Sequence, residues 1–377
     1  MGTYSTRHKH SEYILEMTYQ FDRNKQQLTI HGQAFSSRDF EGEKPQAFFS
    51  SPELADLYVF LHEWFNDEDF VWVKTSGSTG TPKPFKAEKE RMMQSAKLTC
   101  SYLGLKQGNS ALLCMKLGYI AGKMVVVRAL IAGLQLTIVP VTGNPLARVD
   151  QPIDFAAMIP LQVFNSLRNP VEKEKLSAIR HLIIGGGSID STLVHALQEF
   201  PNAVYSTYGM TETLSHIALR RLNGKDAADF YTAMGDVKIS VSSDETLIIE
   251  APKVSEKVLQ TNDVVELVGS NQFRVIGRID NIINSGGIKI QIEDVETQLR
   301  PFLSDDFAIS ALPDPKFGEI VVLVVTKPIE TSVLERLSSY QRPKKVILIE
   351  KIPLTETGKI ERKKLKEIIR KKEENVI

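Results

Sequence analysis

Short apolar runs that stop at glycine alternate with segments of helical periodicity through most of this chain, and that alternation restricts the fold more than any other feature. Parallel strands need crossovers of a dozen residues or more, which amphipathic helices supply, so the pattern predicts an α/β protein. Leu54, Leu57, Leu61 and Trp64 fall at helical spacing and predict a helix over 52–65, with Pro52 near its start. A short strand, 70–73, leads into residues 75–83. A second helix begins near Glu88 and buries Met92, Ala96, Cys100 and Leu103. Apolar strands at 182–184 and 204–206 run into Gly185–Gly187 and Tyr208–Gly209. From Thr246 the texture is β-rich, with strands at 247–250, 264–268 and 273–276. Residues 281–290 then pass through a glycine pair, followed by a helix at 293–299 and strands at 308–312, 320–325 and 346–350.

At 377 residues the chain is long enough for two or three domains, each with its own core. Its 46 basic residues equal its 46 acidic ones, which argues against nucleic acid as a partner. Even the basic run 362–372 is interspersed with glutamates and reads as a solvated helix face. Two cysteines, Cys100 and Cys114, make neither a disulfide framework nor an unaided zinc site. The most apolar stretch, 124–141, carries Arg128 and Gln135 and is divided by Gly133. It therefore predicts a buried helix, a turn and a strand at 136–141, not a membrane span. With no export signal in the first twenty residues, the expectation is a cytoplasmic protein without membrane insertion.

The chemistry concentrates in a few stretches. Thr75, Ser76, Gly77, Ser78, Thr79, Gly80, Thr81, Pro82 and Lys83 follow a strand. The two glycines let successive N–H groups turn inward as an anion cradle, the hydroxyls add donors, and Lys83 adds a mobile positive charge. The spacing GxxGxxK is not that of a Walker A loop. Tyr208-Gly209-Met210-Thr211-Glu212 offers a ring for a purine and a carboxylate for Mg2+. Asp263 lies beside a strand, suited to a ribose diol. Arg278 and Asp280 precede the tight turn at Gly286 and Gly287, and Lys359 sits on a glycine-containing turn.

In their order and intervals these stretches resemble the adenylate-forming enzymes, the superfamily of acyl-CoA and aryl-CoA ligases, nonribosomal peptide adenylation domains and firefly luciferase. The resemblance covers roughly residues 70 to 365. It implies a large N-terminal domain, 1–279, of mixed sheets flanked by helices plus a β-rich subdomain. A small mobile α+β domain, 281–377, would follow, with a hinge at Asp280. It also implies ATP, Mg2+ and coenzyme A as reactants or cofactors, with a small carboxylic acid as the other substrate. By similarity the 75–83 loop wraps the β- and γ-phosphates, Gly185, Gly186, Gly187, Tyr208 and Gly209 line the adenine pocket, and Asp263 and Arg278 take the ribose hydroxyls. Glu212 holds the metal, Thr211 touches the α-phosphate, and Lys359 is the catalytic lysine of adenylation. Gly286, Gly287 and Lys289 serve the thioester step after rotation. Two departures stand out: a short leader before the phosphate loop, and Asn262 where a glycine is more common before the ribose-binding aspartate.

For the acid, Tyr119 occupies a place where many relatives carry histidine, and Lys123 lies one helical turn further on, a candidate anchor for a second substrate carboxylate. Ser215 and His216 follow the Tyr208–Glu212 motif as another wall. These segments resemble most the o-succinylbenzoate–CoA ligases of menaquinone biosynthesis. The alternatives are another aryl- or acyl-CoA ligase, a stand-alone enzyme loading a carrier protein, or a non-catalytic nucleotide sensor. The chain is expected to act as a monomer or homodimer.

Overall fold

The computed structural model describes residues 19–74, 84–187, 189, 191–303, 306–355 and 360–374. The first elements are β1 (Gln27–Ile30), β2 (Gln33–Ser36), α1 (Pro52–Phe65), β3 (Phe70–Lys74), β4 (Pro84–Glu88) and α2 (Lys89–Leu103). Next come β5 (Ser110–Leu113), α3 (Ile120–Ala132), β6 (Gln135–Ile138), β7 (Phe155–Met158), α4 (Pro160–Arg168), α5 (Pro170–Ala178), β8 (His181–Ile184) and α6 (Ser191–Leu197). A run of strands follows: β9 (Ala203–Gly209), β10 (His216–Arg221), β11 (Tyr231–Ala233), β12 (Lys238–Val241), β13 (Thr246–Glu250), β14 (Leu259–Gly269) and β15 (Gln272–Arg278). The last elements are β16 (Ile282–Ser285), β17 (Ile288–Gln291), α7 (Ile292–Leu299), β18 (Phe307–Asp314), β19 (Gly318–Val325), β20 (Lys345–Leu348) and α8 (Arg362–Glu374).

Thirteen strands of the described residues share one sheet, ordered β12-β13-β14-β15-β11-β10-β9-β8-β7-β5-β6-β1-β2. From β1 through β9 the neighbours are parallel, joined through helices, while β9 to β15 pair antiparallel. The mixed α/β architecture therefore follows the alternation in the sequence. Ligands of such sheets sit beyond the carboxyl ends of the parallel strands.

Local chemistry explains the helices that frame this edge. The Ser51 hydroxyl accepts from the Leu54 amide at 3.2 Å and Pro52 occupies the first turn, so α1 starts where its periodicity predicts. At its other end the carbonyls of Trp64 and Asn66 accept from Arg23, and Asn66 also takes the buried Lys89 ammonium, opposing the negative end of the helix. Helix α3 is buried all round and stops at Gly133, whose φ of 64° is left-handed and unfavourable for other residues. Strand β6 ends at Ile138, earlier than the apolar run suggests.

Residues 282–374 form a second sheet, β17-β16-β19-β18 with β20 parallel to β19. Their apolar clusters share no residue with those of the first 278. Helix α8 buries Leu365 and Ile369, turns Arg362 inward onto Glu296 and leaves Lys363, Lys364, Arg370, Lys371 and Lys372 exposed. A tight turn joins β16 and β17, with Gly286 and Gly287 at φ 59° and 83°, the conformation that a two-residue hairpin loop requires. No helix among the described residues is long and apolar enough to cross a membrane.

Candidate active site

The carboxyl ends of β8 and β9 carry most of the described motif residues. Gly185, Gly186 and Gly187 follow β8, where a Cβ on Gly185 would lie 2.4 Å from the Thr207 hydroxyl of the neighbouring strand. Tyr208 and Gly209 are not in a turn, as the sequence suggests, but end β9, because β10 pairs with them. The chain then doubles back so tightly that a Cβ on Gly209 would meet the Ser215 carbonyl at 2.4 Å. Thr211 and Glu212 form the intervening turn, with Glu212 exposed and Thr211 half-buried. Leu214 closes it at φ 63°, held by its amide bond to the Thr211 carbonyl at 2.9 Å, and this strained residue sends Ser215 back under the sheet.

Two polar clusters flank that turn. In the first, the Tyr208 hydroxyl donates to Asp263 at 2.5 Å, and Asp263 pairs across the β14–β15 ladder with Arg278 at 3.1 Å. Burial and the Asp263 carboxylate both push the Tyr208 phenol well above its ordinary pKa, so it remains a donor. Arg278 also binds Asp280 at 2.9 Å. The Tyr208 ring packs edge-on against Phe273, 5.0 Å between centroids. Tyr208, Asp263, Arg278 and Asp280, distant in sequence, thus meet.

The second cluster lies inside. Arg128, on α3 and 2% exposed, donates to the Ser215 hydroxyl at 2.6 Å. The Ser215 hydroxyl also lies 3.3 Å from His216 Nδ1, and His216 Nε2 shares a hydrogen bond with the Thr99 hydroxyl at 3.0 Å. Burial, reinforced by Arg128, holds His216 well below its ordinary pKa, so it is neutral at pH 7. Arg128 forms no ion pair among the described residues, and its Nε has no partner. Burial pushes its pKa down to about 10. The sequence marks Ser215 and His216 but treats Arg128 only as an obstacle to a membrane span. Its signal was there: past Lys123, one guanidinium interrupts an otherwise apolar run, 124–132.

Lys123 has a different setting. Its ammonium pairs with Glu63 of α1 at 3.1 Å and lies 4.6 Å from the centre of the Phe60 ring, with 7% of the side chain exposed. It neither reaches solvent nor keeps its charge free for a substrate. Tyr119 caps the start of α3 and lines a cleft of about 380 Å3 with Leu113, Met115, Lys116 and Ile138.

Lys359 and the whole stretch Thr75, Ser76, Gly77, Ser78, Thr79, Gly80, Thr81 and Lys83 lie outside the described residues. Their flanks are described: Lys74 pairs with Pro84, and Leu354 with Ile360, so each segment springs from an antiparallel base. Gly286, Gly287 and Lys289 are exposed on the β16–β17 turn, where the Gly286 amide bonds the Phe317 carbonyl of the same unit at 2.8 Å. For magnesium, which takes oxygen ligands and keeps water and phosphate oxygens around it, one exposed carboxylate after a strand suffices, and Glu212 fits.

Residues 20–251 match the family model described as AMP-binding enzyme. The chain is an AMP-binding enzyme. A 2-succinylbenzoate–CoA ligase of Listeria monocytogenes is 24% identical over 93% of this chain and 81% of its own length. One from Lactococcus lactis is 25% identical over 82% and 73%. Among solved structures, an acyl-CoA synthetase (AMP-forming)/AMP-acid ligase II-like protein from Dyadobacter fermentans is 32% identical, with a TM-score of 0.60 over 87% of this chain and 96% of that one. The O-succinylbenzoate coenzyme A synthetase of Bacillus subtilis, solved with ATP and magnesium ion, has a TM-score of 0.65 at 22% identity over 78% and 69%. The family and the fold place this AMP-binding enzyme among the adenylate-forming ligases.

Proposed function

We propose that this ligase converts an aromatic dicarboxylic acid, o-succinylbenzoate, to its adenylate with ATP and then to the coenzyme A thioester. The observation that carries the acid class is Arg128: a buried guanidinium beside the motif turn, held by a serine hydroxyl and lacking a carboxylate. A substrate with a second anionic group would supply one. Arg128 therefore replaces Lys123 as the anchor, since Glu63 already neutralises Lys123.

Adenylation brings an anionic carboxylate to an anionic α-phosphate, so the enzyme must cancel charge and hold the reactants in line. In this reading the lysines of the two undescribed segments, Lys83 and Lys359, converge on the phosphates and the acid, and Thr211 touches the α-phosphate. Asp263 and Arg278 take the ribose, and Gly185–Gly187 with Tyr208 border the adenine. Glu212 would hold magnesium, which would supply charge neutralisation. Cys100 and Cys114 are buried, and burial pushes each thiol up to about 12, so neither is an acyl acceptor. The acceptor thiol comes from a second substrate. Residues 282–374 then turn about Asp280, exchanging the Lys359 segment for Gly286, Gly287 and Lys289.

The test is mass spectrometry of acyl-CoA products from ATP, coenzyme A and a panel of acids. o-Succinylbenzoyl-CoA as the leading product supports the reading. Brisk turnover of another acid without it overturns the substrate, and acyl transfer only to a carrier protein overturns the acceptor.

A further inference from the structure

The hinge carboxylate, Asp280, has two restraints from the other side of the junction. Arg278 binds it at 2.9 Å, and the Asn262 side-chain amide donates to the same carboxylate at 3.0 Å. Asn262 is exposed on β14, directly before Asp263, and its side chain points to the hinge while the Asp263 carboxylate faces Tyr208 and Arg278. On the opposite flank, Gln291 of the second unit donates to the Arg278 carbonyl at 3.0 Å and lies against Gly277, where a Cβ would meet its amide nitrogen at 1.8 Å. The junction is thus clasped from two sides by side-chain amides.

Arg278 cannot be the selective restraint, because it divides its guanidinium between Asp263 and Asp280. A ligand that competes for Asp263 redistributes that pairing. Among the described residues Asn262 makes no hydrogen bond to Asp263, and its side-chain amide bonds the hinge side of the cluster. A glycine in its place has no amide to give.

Resting on the hinge reading above, we infer that Asn262 is a positioning residue for the hinge: its amide holds the Asp280 carboxylate in the orientation seen here and slows the exchange between domain orientations. It does this without serving the nucleotide. Because the bond is exposed and Arg278 remains, its loss has a moderate effect, about threefold to tenfold on the opening rate.

The experiment uses the full chain with Asn262→Ala and Asn262→Asp, the second being isosteric but without the donor and repelled by Asp280. Amide hydrogen exchange of peptides covering 279–283 is followed by mass spectrometry, with β13 as internal reference, and AMP affinity is measured by calorimetry. Expected are faster hinge exchange in both variants, greater for Asn262→Asp, an unchanged β13, and AMP binding within about twofold of the parent. In turnover, kcat shifts while KM for ATP does not. Unchanged hinge exchange in both variants overturns the inference, as does tenfold weaker AMP binding with the hinge unaltered, which would make Asn262 a nucleotide contact. Equal acceleration in β13 would mean general loosening and also overturns it. Failure of the parent chain to bind AMP would contradict the proposed function, while the exchange comparison would still decide the role of Asn262.

Discussion

Arg278 and Arg128 bracket the same motif turn, yet the protein treats their charges in opposite ways. Arg278 sits at a half-exposed strand end between two carboxylates at 3.1 and 2.9 Å, a charge already compensated before any ligand arrives. Arg128 is buried, bonded to one hydroxyl at 2.6 Å, with its Nε unpartnered. Burying a guanidinium without a counter-ion costs several kcal/mol, and replacing such a group by an apolar side chain of similar size is often neutral or stabilising. The contrast teaches that the fold itself supplies counter-charges for Arg278 and none for Arg128, which is why the proposed function gives Arg128 the second carboxylate of the substrate.

The sharpest way to break that contrast is Arg128→Met. We expect kcat/KM for the acid to fall by about 100-fold, the scale of a buried charge-assisted contact, while KM for ATP changes little. The melting temperature should hold or rise. A marked loss of stability with unimpaired acid use would make Arg128 structural.

Arg278→Gln comes next. Asp263 and Asp280 lose their shared cation, so KM for ATP should rise by about tenfold with KM for the acid unchanged, measured by pyrophosphate release. Equal damage to both substrates would erase the division between the two clusters.

The smallest effect concerns pH. His216 is buried neutral beside Arg128, with a folded pKa below the ordinary 6.5 of the unfolded chain. The stability it contributes is fully present above pH 6.5 and is lost as pH falls from there toward the folded value. His181 shifts the same way, through burial and Arg180. Melting temperature should therefore decline between pH 7 and 5, and Asn or Gln at 216 should flatten part of that decline. An identical slope in His216→Gln would show that His216 binds protons equally in the folded and unfolded chain, contradicting its buried neutral state.

These two clusters were not equally legible in the sequence. Tyr208, Asp263 and Arg278 stand in short motifs beside apolar runs, so their types and order are legible from local sequence alone. Arg128 lies 87 positions from Ser215, and helical periodicity cannot report which distant turn will fold under a helix. Lys123 was a reasonable anchor until Glu63, 60 positions upstream, was found against it. Strand ends were misplaced for a related reason: Tyr208 and Gly209 are extended because β10 pairs with them, which glycine content alone does not announce. The α/β alternation, by contrast, needs only local pattern, and it gave the helix over 52–65 to the residue.

The most direct test pairs two acids with two proteins: o-succinylbenzoate and its half-ester at the carboxylate that is not activated, each given to the parent chain and to Arg128→Met, with adenylate formation followed by pyrophosphate release. The parent should prefer the diacid by about 100-fold, and the variant should lose most of that preference. A preference that survives the loss of Arg128 would contradict the assignment of this buried charge to the substrate.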